Sequence, residues 1–251
     1  MPVSCSYIAL SAGSARLPLL FPSYPGGCAT IHAVSRGADR RARLAAARLY
    51  LVTDGAMTES AVRSALAAGV DMVQLRDPLL ADDVLIEVAA RLRAACDDHG
   101  ALLWINDRPD LALGAGADGV HLGQDDMPVA QARRQLGDGV LIGLSTHAPD
   151  QLEAGIESGA DQLSVGPVWE TPTKPGRPAA GLHYVRLASK RKPPVPWFAI
   201  GGIDEANVGD VVADGAQRIV VVRAVRDAPD PGAAASRLCA ALEGSTVGAA
   251  R

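Results

Sequence analysis

The sequence predicts a single (β/α)8 barrel, and three observations carry that expectation. Eight short apolar runs recur within residues 46–245, helical periods separate them, and one helix-to-strand joint appears four times. Runs that stay apolar from one position to the next suit parallel strands covered on both faces.

The runs lie at 49–52, 72–75, 102–105, 119–122, 141–144, 162–165, 197–200 and 218–222. Between the second and third, Val84, Leu85, Val88, Leu92, Ala95 and Cys96 form an apolar stripe at three-to-four spacing. Gly100 follows as a helix terminator. Pro149 suits the first turn of a later helix, while Asp204 and Asp230 are expected to cap the last two. The segments AAGVDMVQL, GAGADGVHL, ESGADQLSV and ADGAQRIVV share one form. In each, a helix ends around Gly, Ala or Val follows, and a strand begins. Four such joints argue for a repeated β/α unit, and eight strands in about 200 residues argue for closure. The alternative is a doubly wound sheet, but no G-x-G-x-x-G follows the first strand.

Composition bounds the rest. The chain has 251 residues, 48% hydrophobic but only 4% aromatic, so its core is one of Ala, Val, Leu and Ile. A formal charge of -4 and a pI near 5.7 give no footprint for nucleic acid. No apolar run approaches the roughly 18–20 residues of a membrane span. Cys5, Cys28, Cys96 and Cys239 lack C-x-x-C spacing and read as reduced thiols of a cytoplasmic protein. Residues 1–45 mix Ser, Gly, Pro and Arg without sustained periodicity and without the pattern of a signal peptide. They are expected to form a disordered extension, or to reflect an upstream start codon. Residues 46–245 form the barrel and 246–251 a tail.

Barrels place their chemistry in the loops that follow the C-terminal ends of the strands. The second run ends in Gln74, Leu75, Arg76, Asp77 and Pro78. Gln74 can meet a polar heterocycle, and Arg76 offers a planar fork to phosphate or pairs with Asp77 at the surface. Asn106 and Asp107 follow the third run and Asp125 and Asp126 the fourth, and each pair could simply cap a helix. Taken together, Asp107 and Asp126 supply the one or two carboxylates that Mg²⁺ takes, with water and substrate phosphate completing the octahedron. Asp125 is the weaker choice.

Ser145 and His147 end the fifth run, the first for a substrate heteroatom and the second as a base or a structural residue. GPVWETPTKPG follows the sixth. Its prolines stiffen the loop, and Thr171, Thr173 and Lys174 offer donors to anions. Gly201 and Gly202 end the seventh run, and Val222 and Arg223 the eighth, where barrels often hold phosphate on backbone N–H groups. A tight turn is the plain reading of the glycines. The rim thus offers two anion sites.

With these motifs assembled, the chain resembles the thiamine-phosphate synthase family. The matching segments are LYLVTD, VQLRD, INDRPDLAL, GADGVHLGQDD, IGLSTH, VGPVWETPTKPG, FAIGGI and RIVVVRAV. The resemblance implies joining 4-amino-5-hydroxymethyl-2-methylpyrimidine diphosphate to a thiazole ethyl phosphate or its carboxylate. The products are thiamine phosphate and pyrophosphate, with carbon dioxide from the carboxylated thiazole. It implies pyrimidine diphosphate contacts at Gln74, Leu75, Arg76, Asp77, Pro78, Asn106, Ser145 and Lys174. It also implies Mg²⁺ on Asp107 and Asp126, and thiazole phosphate on Thr171, Pro172, Thr173, Gly202, Val222 and Arg223. Arg76, Lys174 and Ser145 are the expected catalytic groups. The implied partners are small molecules, with neither nucleic acid nor membrane, and a homo-oligomer remains open. Two residues depart from the family's pattern: Pro78 stands where Lys is common, and Arg223 where a small residue is. Two rival readings stay open, a thiazole tautomerase of the same fold using His147 and a non-catalytic ligand-binding barrel.

Overall fold

This computed structural model describes residues 28–171 and 178–244, with side chains from residue 37 onward. Eight parallel strands close in sequence order into a barrel. They are β1 (Leu49–Thr53), β2 (Met72–Leu75), β3 (Leu102–Asn106), β4 (Gly119–Leu122), β5 (Leu141–Thr146), β6 (Gln162–Val165), β7 (Trp197–Ile200) and β8 (Ile219–Val221). β1 pairs with β2 and also with β8, which is the closure.

Helices cover the outside. In chain order they are α1 (Cys28–Ala46), α2 (Glu59–Ala67), α3 (Asp82–His99), α4 (Pro109–Ala112), α5 (Val129–Leu136), α6 (Pro149–Glu157), α7 (Gly181–Arg191), α8 (Val208–Ala213), α9 (Arg223–Arg226) and α10 (Pro231–Glu243). α3 ends at Gly100 in the left-handed region, as its sequence predicts. Asp230 caps α10 by accepting the Ala233 N–H at 2.9 Å. Asp204 does not cap the helix that follows it. It accepts the Ala206 N–H within a turn, and Asn207 holds the N-cap position of α8 instead. Asn207 answers by accepting the Asp204 N–H, so the two side chains brace one turn.

Successive strand residues face opposite ways, which splits the core in two. One cluster takes Leu49, Leu51, Val73, Leu75, Leu103, Ile105, Val120, Leu122, Leu163 and Val165 toward the helices. The other takes Tyr50, Val52, Met72, Leu102, Trp104, Leu141, Phe198 and Val220 inward. The strands read as continuously apolar because both faces are buried.

The N-terminal floor explains three of the four repeated joints; the fourth, ADGAQRIVV, has Gln217 where the others have Asp. Asp71 accepts the N–H groups of Arg48 and Leu49 at 2.7 and 3.0 Å. Asp118 accepts that of Leu103 at 2.9 Å, and Asp161 that of Ile142 at 2.8 Å. Each aspartate therefore satisfies a backbone donor where the preceding strand begins. The glycine two residues earlier, at 69, 116 and 159, turns the chain at positive φ.

α1 corrects the expectation of disorder through residue 45. Residues 28–46 are helical, and Leu44 and Ala47 join the inward cluster under the barrel. Arg40 reaches Asp118 at 2.8 Å and Arg41 reaches Asp161 at 2.9 Å. Arg43 donates to the carbonyls of Gly100 and Ala101. The helix is thus pinned to the same aspartates that start the strands. Its Ser, Gly and Arg content hid it, because the stabilising partners are distant in sequence. Among the described residues no helix is long and apolar enough to cross a membrane.

Candidate active site

The C-terminal mouth holds a cavity of about 340 Å³. Its wall begins with the uppermost inward residue of several strands: Gln74 of β2, Asn106 of β3, His121 of β4, Ser145 of β5, Ser164 of β6 and Ile200 of β7. Arg76, His147, Pro167 and Thr171 add to the rim, and 200–204 and 220–224 close the other arc. The expectation that the loops carry the site needs adjustment. Gln74, Asn106 and Ser145 are strand residues, placed by the inward phase of the pleat.

The same phase removes other candidates from the wall. Leu75 is one residue past Gln74, so its side chain faces the helices. It can meet a ligand only through its backbone. Asp77 and Pro78 lie beyond the wall. The Asp77 carboxylate is committed to its own turn, accepting from Gly55 N–H at 3.2 Å and Leu79 N–H at 3.1 Å. Pro172, Thr173 and Lys174 fall outside the described residues. The structure therefore brings together Gln74, Arg76, Asn106, Ser145, Thr171, Gly202, Val222 and Arg223.

Beneath the mouth the barrel interior is polar. Gln74 Nε2 donates to Tyr50 Oη at 2.5 Å. His121 Nε2 and Ser145 Oγ lie 2.9 Å apart, and Gln162 Nε2 donates to Ser164 Oγ at 3.0 Å. Burial pushes the Tyr50 phenol far above its ordinary pKa despite the Gln74 bond, so it stays neutral. His147 Nδ1 meets the Gly166 carbonyl at 2.5 Å, which orients its ring.

Sequence reasoning missed Tyr50 and Ser164 as lining residues and left His121 without a role. Tyr is common in strands, so Tyr50 carried no signal. Counting back two residues along each strand from Val52 and from the strand ends would have found the phase.

Asp107 follows β3 and Asp126 follows β4, which are adjacent strands, so both carboxylates stand at the same end of the barrel. Asp107 adopts φ 58°, a left-handed conformation uncommon outside glycine, and its N–H donates to His121 O at 2.8 Å. Its carboxylate lies 3.4 Å from Arg76 Nη1. Asp126 accepts the Gly123 N–H at 2.7 Å, so its carboxylate also serves the turn. Neither carboxylate lines the cavity itself; two hard oxygen donors at this end of the barrel, one of them against Arg76, suit a magnesium ion whose shell is completed by substrate phosphate. No group of three or more His, Cys, Asp or Glu among the described residues forms a self-sufficient metal cage.

On the other arc, the two glycines do more than turn. Gly201 has φ 105°, and a Cβ there would stand 2.4 Å from Pro167 Cβ. Val168 N–H donates to Ile200 O at 2.8 Å, and Trp169 N–H to Gly201 O at 3.1 Å. The start of GPVWETPTKPG is therefore laid against the end of β7.

A closed parallel barrel with a polar mouth, an arginine and two carboxylates at the same end, and two glycines after β7 defines a class: (β/α)8-barrel enzymes of phosphorylated small molecules. Residues 49–225 match the family model of thiamine monophosphate synthase. The chain belongs to that family, whose members are transferases. It is 54% identical over 206 residues to a thiamine-phosphate synthase from Thermobifida fusca, covering 79% of this chain and 93% of that protein. It is 51% identical over 204 residues to one from Gloeobacter violaceus, covering 81% of this chain but only 60% of that longer protein. A solved thiamine phosphate pyrophosphorylase from Pyrococcus furiosus superposes with a TM-score of 0.74 at 31% identity, covering 82% of this chain and 98% of that one.

Proposed function

We propose that this chain condenses 4-amino-5-hydroxymethyl-2-methylpyrimidine diphosphate with a thiazole ethyl phosphate or its carboxylate, giving thiamine phosphate and pyrophosphate, with carbon dioxide from the carboxylated thiazole. The observation that carries the reading is the family match across 49–225 with its motif residues gathered on one cavity. Gln74, Arg76, Asn106 and Ser145 occupy the arc of β2 to β5, and Gly202, Val222 and Arg223 the arc of β7 and β8. That division suits one diphosphate and one phosphate. The products and reactants are small molecules, and the reduced thiols suit a cytoplasmic setting.

The chemistry asks for leaving-group stabilisation more than for acid–base work. The bond between the pyrimidine methylene carbon and the diphosphate oxygen breaks, and its electron pair leaves with pyrophosphate. The thiazole nitrogen then gives its lone pair to the methylene carbon. Arg76 offers its guanidinium to the departing oxygens, and Lys174 adds a second cation from the GPVWETPTKPG loop. Asp107 and Asp126 would hold a magnesium ion, which when bound would supply further positive charge to the diphosphate. Gln74, Asn106 and Ser145 hold the pyrimidine. Thr171, Thr173 and the backbone at Gly202 and Val222 to Arg223 hold the thiazole phosphate in line, which contributes through proximity. With Pro78 in place of the family's common Lys, the diphosphate depends more heavily on Arg76, Lys174 and the metal.

The test is turnover with both substrates, with and without Mg²⁺, followed by pyrophosphate and thiamine phosphate release. Release that needs the metal supports the reading. Binding without release, or conversion of the thiazole alone, overturns it.

A further inference from the structure

We propose that Tyr50 is a positioning residue for the pyrimidine, holding the Gln74 carboxamide at the angle from which it meets the heterocycle. The inference rests on the function proposed above and deepens it.

Gln74 is an awkward recognition residue when unsupported. Three side-chain torsions separate its amide from the backbone, and fixing them costs conformational entropy. The amide can also present either its oxygen or its NH₂. Here both freedoms are removed before a substrate arrives. Gln74 Nε2 donates to Tyr50 Oη at 2.5 Å, and both residues are buried. With one Nε2 proton given to Tyr50 the amide's orientation is set, and Oε1 is the acceptor offered to the exocyclic amine of a 4-aminopyrimidine.

Tyr50 is itself immobile. It sits on β1 beside Met72 of β2, one inward position below the Val52 and Gln74 pair. Its ring packs against Trp104 at 5.9 Å and edge-on against Phe198 at 5.8 Å. Its phenol remains a neutral dipole because burial disfavours ionisation. The hydroxyl is thus a fixed point inside the barrel, and Gln74 is tied to it in the wall of the cavity.

The test uses Tyr50→Phe, Gln74→Ala and the double variant, with KM for each substrate and kcat measured separately. Tyr50→Phe is expected to raise KM for the pyrimidine diphosphate about five- to tenfold, the range of one neutral hydrogen bond, with kcat and the thiazole phosphate KM within about twofold. In the Gln74→Ala background, Tyr50→Phe is expected to add nothing, because its partner is gone. An equal rise in both KM values, an unchanged pyrimidine KM, or an undiminished effect in the Gln74→Ala background overturns the proposal. If Tyr50→Phe proves unstable by thermal unfolding, Gln74→Ala alone must still show a rise confined to the pyrimidine, and its absence is equally fatal. Wild-type protein that releases no pyrophosphate sinks the proposed function itself, a result obtained before any variant is compared.

Discussion

Arg76 is the described cation on the arc of the cavity that faces the diphosphate in the proposed reaction, and Asp107 is close enough to hold it. Replacing Arg76 with Ala is expected to lower turnover by roughly 10²–10³, the usual effect of losing one preorganised charge on a leaving group. Circular dichroism should remain that of the wild type, since the guanidinium is at the rim. Turnover within a fewfold of wild type would remove Arg76 from the mechanism. Gly201 makes a different kind of prediction. Its φ of 105° and the missing space beside Pro167 mean that Gly201→Ala must displace the loop or strain the chain. A cost of about 1–3 kcal/mol is expected in urea unfolding. An unchanged midpoint would mean that the loop does not lie against β7 in solution.

At the level of elements, the floor of the barrel is an electrostatic latch between α1 and the strand starts. Burial disfavours charge on Asp118, but the Leu103 N–H, Arg93 and Arg40 outweigh it and hold the carboxyl below its ordinary pKa. The folded state therefore binds this proton less readily than the unfolded chain. The stability it contributes is fully present above the unfolded value of about 4 and is lost as pH falls through the lower folded value. Asp118→Asn is expected to cost about 1–3 kcal/mol at pH 7, and the gap to wild type should narrow in strong acid. Denaturant titrations at neutral and acid pH check this, and a gap that widens toward low pH contradicts it.

For the whole molecule, ligand binding and stability are linked. Pyrophosphate with Mg²⁺ should stabilise the folded barrel by about 2.7 kcal/mol at a hundred times its Kd, or roughly 5–11 °C in Tm for a chain of this size. Adding a chelator should abolish that shift. A shift of the same size without the metal would argue against Asp107 and Asp126 acting together on the diphosphate.

The fold was legible because the strands are short, largely apolar and buried on both faces, and β2, β4 and β6 follow the same Gly-to-Asp joint, features that are local in the chain. The residue types of the site were legible for a similar reason: Gln74, Arg76, Asn106 and Ser145 stand at strand ends, where a barrel exposes its chemistry. Tertiary structure alone decided which of those side chains share a cavity. Closure fixes the phase of the pleat, sending Gln74 inward and Leu75 outward, and no run of uniformly apolar residues declares that phase. Closure also gave α1 its partners, since Asp118 and Asp161 lie far along the chain from Arg40 and Arg41 and meet them only once the floor exists.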